Sequence, residues 1–320
     1  MIEKENHGFL EVLKSLGAGK YREPKYKDLI NLKQLMNEID IDVKKLIETF
    51  RFLLKYRILF KGTGIEFAGL REYVPGQDDA TRIDWKASLR SKTLYVKQYE
   101  EERDLDVYVL VDASSSMLFG TQNKLKSEYA AVIAGAVTFA GIDTGDNVGF
   151  GMFNNGMKVS LEPTKDTSQY YKVLKMLVNP MFYGGICDLN SALLYLLNTL
   201  SDRSILFIIS DFIGIGEEWK DALKMVCGKL DRVLGIMVRD IRDEKLPKGT
   251  GYIRVADPFT GKVKSVDLDK VRIRFERLAK EQEQMVINEF QSSKAGIFKV
   301  YTTEPFVKQL IKYIELSEVY

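Results

Sequence analysis

The chain has 320 residues, 45% of them hydrophobic, enough for one large α/β domain and a smaller appendage. Lysine and arginine number 47 against 45 aspartate and glutamate, a net charge of +2, so no electrostatic signal points to nucleic acid or an acidic membrane as the main partner. Two cysteines, Cys187 and Cys227, are too few for a disulfide framework and suit a reducing compartment.

The N-terminal 1–60 segment is lysine-rich. In it Leu29, Ile30, Leu32, Leu35 and Met36, then Val43, Leu46, Ile47, Phe50, Leu53 and Leu54, return every three to four positions, which predicts short amphipathic helices. Residues 61–104 are punctuated by Gly62, Gly64, Gly69, Pro75 and Gly76 and read as loops and short strands, with a strand at Leu94–Val96. From residue 105 to 320 strand and helix alternate. Apolar runs at 107–111, 148–153, 205–209 and 233–238 read as buried strands, and 157–161 as an edge strand. Helices are expected over 125–140, 170–177, 189–200, 217–230 and 268–290. A hairpin is inserted near 252–267, and a strand at 297–301 precedes a helix over 306–314. The implied fold is α/β: a doubly wound, mostly parallel sheet covered on both faces, with an N-terminal helical and loop-rich appendage. The most apolar run, Ser204–Ser210, is far short of the roughly 20 residues of a spanning helix, and the N-terminus lacks a signal-peptide pattern. The expectation is a cytoplasmic protein without a membrane span.

In such sheets ligands bind at the carboxyl ends of the strands. Two strand ends carry oxygen-rich motifs. Asp112, Ser114 and Ser116 follow the strand ending at Val111, and Ser210-Asp211 follow the strand ending at Ile209. Carboxylates and hydroxyls on neighbouring strands make a hard-oxygen site suited to Mg²⁺ or Mn²⁺. Asp and Ser after a strand also cap the following helix, which is the competing structural role. Apolar residues flank both motifs: Met117, Leu118 and Phe119 after the first, Phe212, Ile213 and Ile215 after the second. They are the candidate partner-binding border of the site, or part of the core.

Asp112-x-Ser114-x-Ser116 with Asp211 resembles the metal-ion-dependent adhesion site of von Willebrand factor A domains. That family has a threonine ligand in a glycine-rich stretch. The matching stretch here, Gly184 to Leu193, places Cys187 at the threonine position, with Asp188 beside it as a substitute ligand. A neutral thiol is a poor ligand for a hard cation, so a site that is weak or empty is expected. An adhesion-type site also leaves one coordination position for an acidic residue of the partner. Upstream, Gly64-x-Glu66-Phe67, Arg71-Glu72-Tyr73, Pro75-Gly76-x-Asp78-Asp79, Arg82-Ile83-Asp84-Trp85 and Tyr99 to Arg103 run in order. Together they resemble domain-of-unknown-function family fifty-eight, often encoded beside MoxR-type AAA+ ATPases. The resemblance implies a metal-dependent protein–protein interaction module, an adaptor or partner of such an ATPase, and not an enzyme.

The alternative is a metal-dependent hydrolase with Asp112 as nucleophile, but the second acid such enzymes carry two residues later is here Ser114. The single histidine, His7, lies far from the motifs in sequence. No G-x-x-x-x-G-K-[ST] phosphate loop is present, and no G-x-G-x-x-G follows a strand.

Overall fold

From Val107 to Val111 no side chain is more than 1% exposed, because this strand has neighbours on both edges and helices over both faces. It belongs to the larger of two compact units, the one from Leu105 onward; the smaller lies within Glu48–Asp104. The structure, a computed structural model, describes residues 67–74, 83–91, 93–99, 106–121, 124–260, 262–306 and 308–309. The helices expected in 1–60 and most of the expected terminal helix lie outside these residues. In the smaller unit, strands β1 (Phe67–Glu72) and β2 (Tyr95–Tyr99) pair antiparallel, and helix α1 spans Trp85–Ser91. Asp84 starts that helix by accepting the backbone N–H groups of Lys86 and Ala87 on Oδ1.

In the larger unit the elements follow the expected alternation. They are β3 (Asp106–Asp112), α2 (Lys126–Asp143), β4 (Asn147–Asn154), β5 (Gly156–Thr164), α3 (Ser168–Leu177) and α4 (Leu189–Thr199). Then come β6 (Ser204–Ser210), α5 (Trp219–Lys229), β7 (Arg232–Arg239), the hairpin β8 (Tyr252–Ala256) and β9 (Val263–Asp267), α6 (Leu268–Ser292) and β10 (Gly296–Tyr301). The main sheet runs β10-β7-β6-β3-β4-β5, parallel except for β5, which pairs antiparallel with β4. The fold is therefore mixed α/β with a mostly parallel central sheet.

Alternate residues of β3 feed two cores. Tyr108 and Leu110 join Leu193, Leu196, Leu223, Val226 and Phe290 from α4, α5 and α6. Val107 faces the other way, toward Gly141 of α2, where an added Cβ would meet a Val148 methyl at 2.7 Å. Alanines and glycines let α2 sit this close, and it is buried nearly all round. The Tyr108 ring lies across Gly149 and Gly151 of β4, and its hydroxyl donates to the Phe150 carbonyl at 3.1 Å.

Strand order decides where the fold can hold a ligand. From β3 the chain crosses to β4 on one side, whereas from β6 it crosses to β7 on the other. The loops leaving β3 and β6 diverge, opening a crevice beyond Asp112 and Ser210 at the sheet's switch point.

Candidate functional site

β3 and β6 pair in register to Val111 opposite Ile209, so Asp112 and Ser210 follow side by side. The Ser210 hydroxyl donates to Asp112 Oδ2 at 2.6 Å. Asp112 Oδ1 accepts the Ser114 backbone N–H at 2.8 Å, which folds the chain back so that the Ser114 and Ser116 hydroxyls lie 3.0 Å apart. Ser116 Oγ in turn donates to Asp211 Oδ1 at 3.1 Å. The four residues expected at this rim thus belong to one hydrogen-bonded network, and all four are buried.

The loop after β6 is bent to present Asp211. Phe212 adopts a left-handed φ of 52°, which a bulky residue tolerates only when its surroundings fix it. Here the Phe212 N–H donates to Ser210 Oγ and the Ile213 N–H to Asp211 Oδ1, both at 2.8 Å. The Phe212 carbonyl accepts from Gln282 of α6 at 2.5 Å, and Gln282 Oε1 accepts from buried Arg239 at 2.7 Å. The third loop turns at Gly184 and Gly185, both left-handed, and is tied to the first by Gly184 N–H to the Ala113 carbonyl and Ser115 N–H to the Gly185 carbonyl. Gly185 passes so close to Asn155 that a Cβ would collide with that side chain.

This turn delivers Cys187, whose thiol donates to Asp112 Oδ2 at 3.2 Å. Burial, then the negative charges of Asp112 and Asp211, hold the Cys187 pKa well above the ordinary thiol value, so it stays protonated. Asp188 faces elsewhere. Its two carboxylate oxygens accept the Ser191 N–H at 3.0 Å and the Ser191 hydroxyl at 2.6 Å, capping α4.

The apolar border also needs correction. Met117, Phe212, Ile213 and Ile215 are buried in the core, because the tight turn at Phe212 directs its ring onto Phe290 instead of outward. Leu118 is half-buried and Phe119 is 40% exposed. The sequence reading missed Ile186, 53% exposed beside Cys187, and Met181, 87% exposed in the preceding turn.

It also missed Lys126. This residue opens α2, is 1% exposed, and donates from Nζ to Asp211 Oδ2 at 2.7 Å and to Asp243 Oδ2 at 2.9 Å. Burial alone would favour the neutral amine, but the attraction of Asp211 and Asp243 outweighs it and raises the Lys126 pKa. Asp243 is pushed up by its burial more than Lys126 pulls it down. Among the described residues Asp112 has no such cation: burial, then repulsion from Asp211, push its pKa up to about 6 against the hydrogen bonds from Ser210 and Ser114. A sequence signal for Lys126 did exist, since a cation at the first position of a helix opposes the helix dipole and needs a local reason.

Among the described residues no three His, Cys, Asp or Glu side chains gather as a metal cage. The donors at this rim are instead hydroxyls plus carboxylates, a set suited to a partly hydrated hard cation. The charge count agrees. Among the described residues, Asp112, Asp211, Asp240 and Asp243 are buried here with Lys126 and Arg239 as the buried cations, an excess of two acidic groups. The residues fit a divalent cation, with Cys187 the one poor donor.

The family model for "Protein of unknown function DUF58" matches residues 69–285. The chain belongs to the DUF58 family. Two uncharacterized proteins, Rv1480 of Mycobacterium tuberculosis (strain ATCC 25618 / H37Rv) and Mb1516 of Mycobacterium bovis, are each 28% identical over 260 residues, 80% of this DUF58 chain and 80% of their own length. Among solved structures, the conserved hypothetical protein BatB from Bacteroides thetaiotaomicron aligns at 17% identity and a TM-score of 0.45, covering 68% of this chain and 100% of that one. An aerotolerance-related membrane protein from Bacteroides fragilis aligns at 16% and 0.43, covering 66% and 99%. An uncharacterized membrane spanning protein from Vibrio fischeri aligns at 17% and 0.24, covering 68% and 98%. The cytoplasmic placement expected from the sequence is corrected by these matches, since two of the three proteins are named as membrane or membrane-spanning proteins. Among the described residues, no helix is long and apolar enough to cross a membrane.

Proposed function

We propose that this DUF58 protein is a protein–protein interaction module of the von Willebrand factor A type, whose rim takes one Mg²⁺ or Mn²⁺, and that its partner is a MoxR-type AAA+ ATPase. The observation that carries the reading is the joining of Asp112, Ser114, Ser116 and Asp211 in one hydrogen-bonded network at the switch point. Asp112, Ser114 and Ser116 would hold the cation directly, with Asp211 beside them. Bound there, the cation supplies a hard Lewis-acid centre able to accept a partner's carboxylate. The chain's own residues do the rest. Ser210 and the Ser114 N–H orient Asp112, the Gly184–Gly185 turn sets Cys187 against it, and Phe119, Met181 and Ile186 supply exposed apolar area. A hydrolase reading is less favoured, because both Asp112 oxygens already accept hydrogen bonds in a buried site, a poor arrangement for a nucleophile.

Calorimetric titration with Mg²⁺ and Mn²⁺, with capture of the ATPase in parallel, tests the proposal. The wild-type chain should bind one cation and Asp112→Ala none. Cys187→Thr, which adds a hydroxyl where the thiol now sits, should bind roughly tenfold tighter, ~1.4 kcal/mol. Capture of the ATPase should weaken in chelator and return with Mg²⁺. Equal cation binding by wild type and Asp112→Ala, or capture indifferent to chelator, would overturn the reading.

A further inference from the structure

Lys126 is a buried cation bonded directly to a residue of the candidate cation site, and an interaction site of this kind does not require it. Asp211, its partner, faces two environments. Oδ1 accepts from the Ser116 hydroxyl and the Ile213 N–H on the side of the candidate cation site, while Oδ2 accepts from Lys126 Nζ. The ammonium has a second seat, since both oxygens of Asp243 are within 3.1 Å of Nζ. A buried lysine is tolerated only when paired, and here it stays paired wherever between the two carboxylates it settles.

We propose that Lys126 is a tethered competitor of the divalent cation: it neutralises Asp211 from within, and cation affinity is set by how the ammonium divides between Asp211 and Asp243. The inference rests on the cation reading above and deepens it. Two cations sharing one carboxylate repel strongly in a site with little water, so each weakens the other's hold on Asp211. Movement of the ammonium toward Asp243 lowers that repulsion without leaving either charge bare. Asp243 is well placed to receive it. Its Oδ2 also accepts the Asp240 N–H at 2.8 Å, and Asp240 in turn accepts the N–H and hydroxyl of Thr121, from the loop that leads into α2. The acceptor is thus anchored to both segments that flank the lysine. Nζ already lies within hydrogen-bond reach of both carboxylates, and 5.5 Å from the centre of the Phe119 ring. The exchange therefore needs only the end of the side chain to shift. It gives the rim an internal brake on cation occupancy, wired to the loop after β7.

Mn²⁺ titration of the full chain, followed by the electron paramagnetic resonance of free Mn²⁺, tests this on wild type, Lys126→Met, Asp243→Asn and Asp112→Ala. Thermal melts monitor folding. Lys126→Met, which removes the competitor, should bind at least about tenfold tighter than wild type. Asp243→Asn, which leaves Lys126 only Asp211 to neutralise it, should bind several-fold more weakly. A merely structural lysine would move both affinities the same way, through loss of the fold. If Lys126→Met melts cooperatively and binds no tighter than wild type, the competitor role is overturned while the cation site stands. Should Lys126→Met fail to fold, Asp243→Asn decides, and an unchanged affinity there overturns the role equally. Binding by Lys126→Met alone would support the lysine as the element that closes the site. No binding by any variant would overturn the cation reading and this inference together.

Discussion

Asp112 is a carboxylate held at a cost. Its neighbours donate a hydroxyl, a thiol and one backbone N–H, but the nearest charge it feels is the negative one on Asp211, and its pKa is pushed up to about 6. A folded-state pKa above the ordinary carboxyl value of 3.8 means that folding favours the protonated acid. Without bound cation, stability is therefore greatest below about pH 4 as far as this group is concerned, and declines as pH rises through about 6. Two pKa units correspond to ~3 kcal/mol at most. Asp112→Asn keeps the shape, with Oδ1 still able to accept the Ser114 N–H, and removes the charge. The variant should melt several degrees above wild type at pH 8 in chelator, and the gap should close toward pH 4. Saturating Mg²⁺ should reverse the order at pH 8, because only wild type gains stability from the cation. Equal melting points for the two proteins in chelator at pH 8 would mean that Asp112 is already compensated.

At the scale of elements, the loop after β6 is shaped by a helix more than 50 residues away in sequence. Gln282 of α6 bridges Arg239 and the Phe212 carbonyl, so a left-handed Phe212 is fixed from outside its own loop. Gln282→Leu would leave a buried guanidinium N–H and a buried carbonyl unpaired, at a cost of ~2–4 kcal/mol. Chemical denaturation should register that loss, accompanied by weaker Mn²⁺ binding as Asp211 loses its orientation. A neutral result would assign the loop's shape to the packing of Phe212 on Phe290 instead. The same loop shows where sequence reading stops. Strands 107–111 and 205–209 were legible because parallel strands buried on both faces leave unbroken apolar runs, and Asp112 and Asp211 were legible because they sit directly at those strand ends. Gln282 was not, and Lys126 showed only as a cation misplaced at a helix start, since each takes its partner from a distant loop. Ile213 and Ile215 misled for the complementary reason: beside a polar motif they resemble a binding border, and only the turn at Phe212 shows that they point inward.

For the whole molecule, the question is which surface a partner meets. Asp112, Ser114, Ser116 and Asp211 are buried, so on the proposed reading a partner's acidic group would enter between the loops instead of meeting an open plate. Exposed apolar side chains on the loops that carry the candidate site include Phe119 after the Ser116 motif and Met181 with Ile186 in the stretch leading to Cys187. Hydrogen bonds between Ala113 and Gly184, and between Ser115 and Gly185, hold these two loops together, so the apolar residues move with the site. Exposed apolar groups around a polar centre exclude water from a contact and carry much of its affinity. Phe119→Ser with Ile186→Asp should therefore weaken capture of the MoxR-type ATPase by at least tenfold, roughly 1.4 kcal/mol or more. Neither change removes an oxygen donor, so melting temperature should stay close to wild type, while the Phe119 ring lies 5.5 Å from Lys126 Nζ and any change in Mg²⁺ affinity on its loss is read separately. The Asp at position 186 adds a second effect in the same direction, because an acidic residue of the partner would be repelled. Surface plasmon resonance against the ATPase, with calorimetric Mg²⁺ titration on the same preparations, separates the two readouts. Undiminished capture by the double variant would place the contact elsewhere on the chain, whatever the cation titration shows.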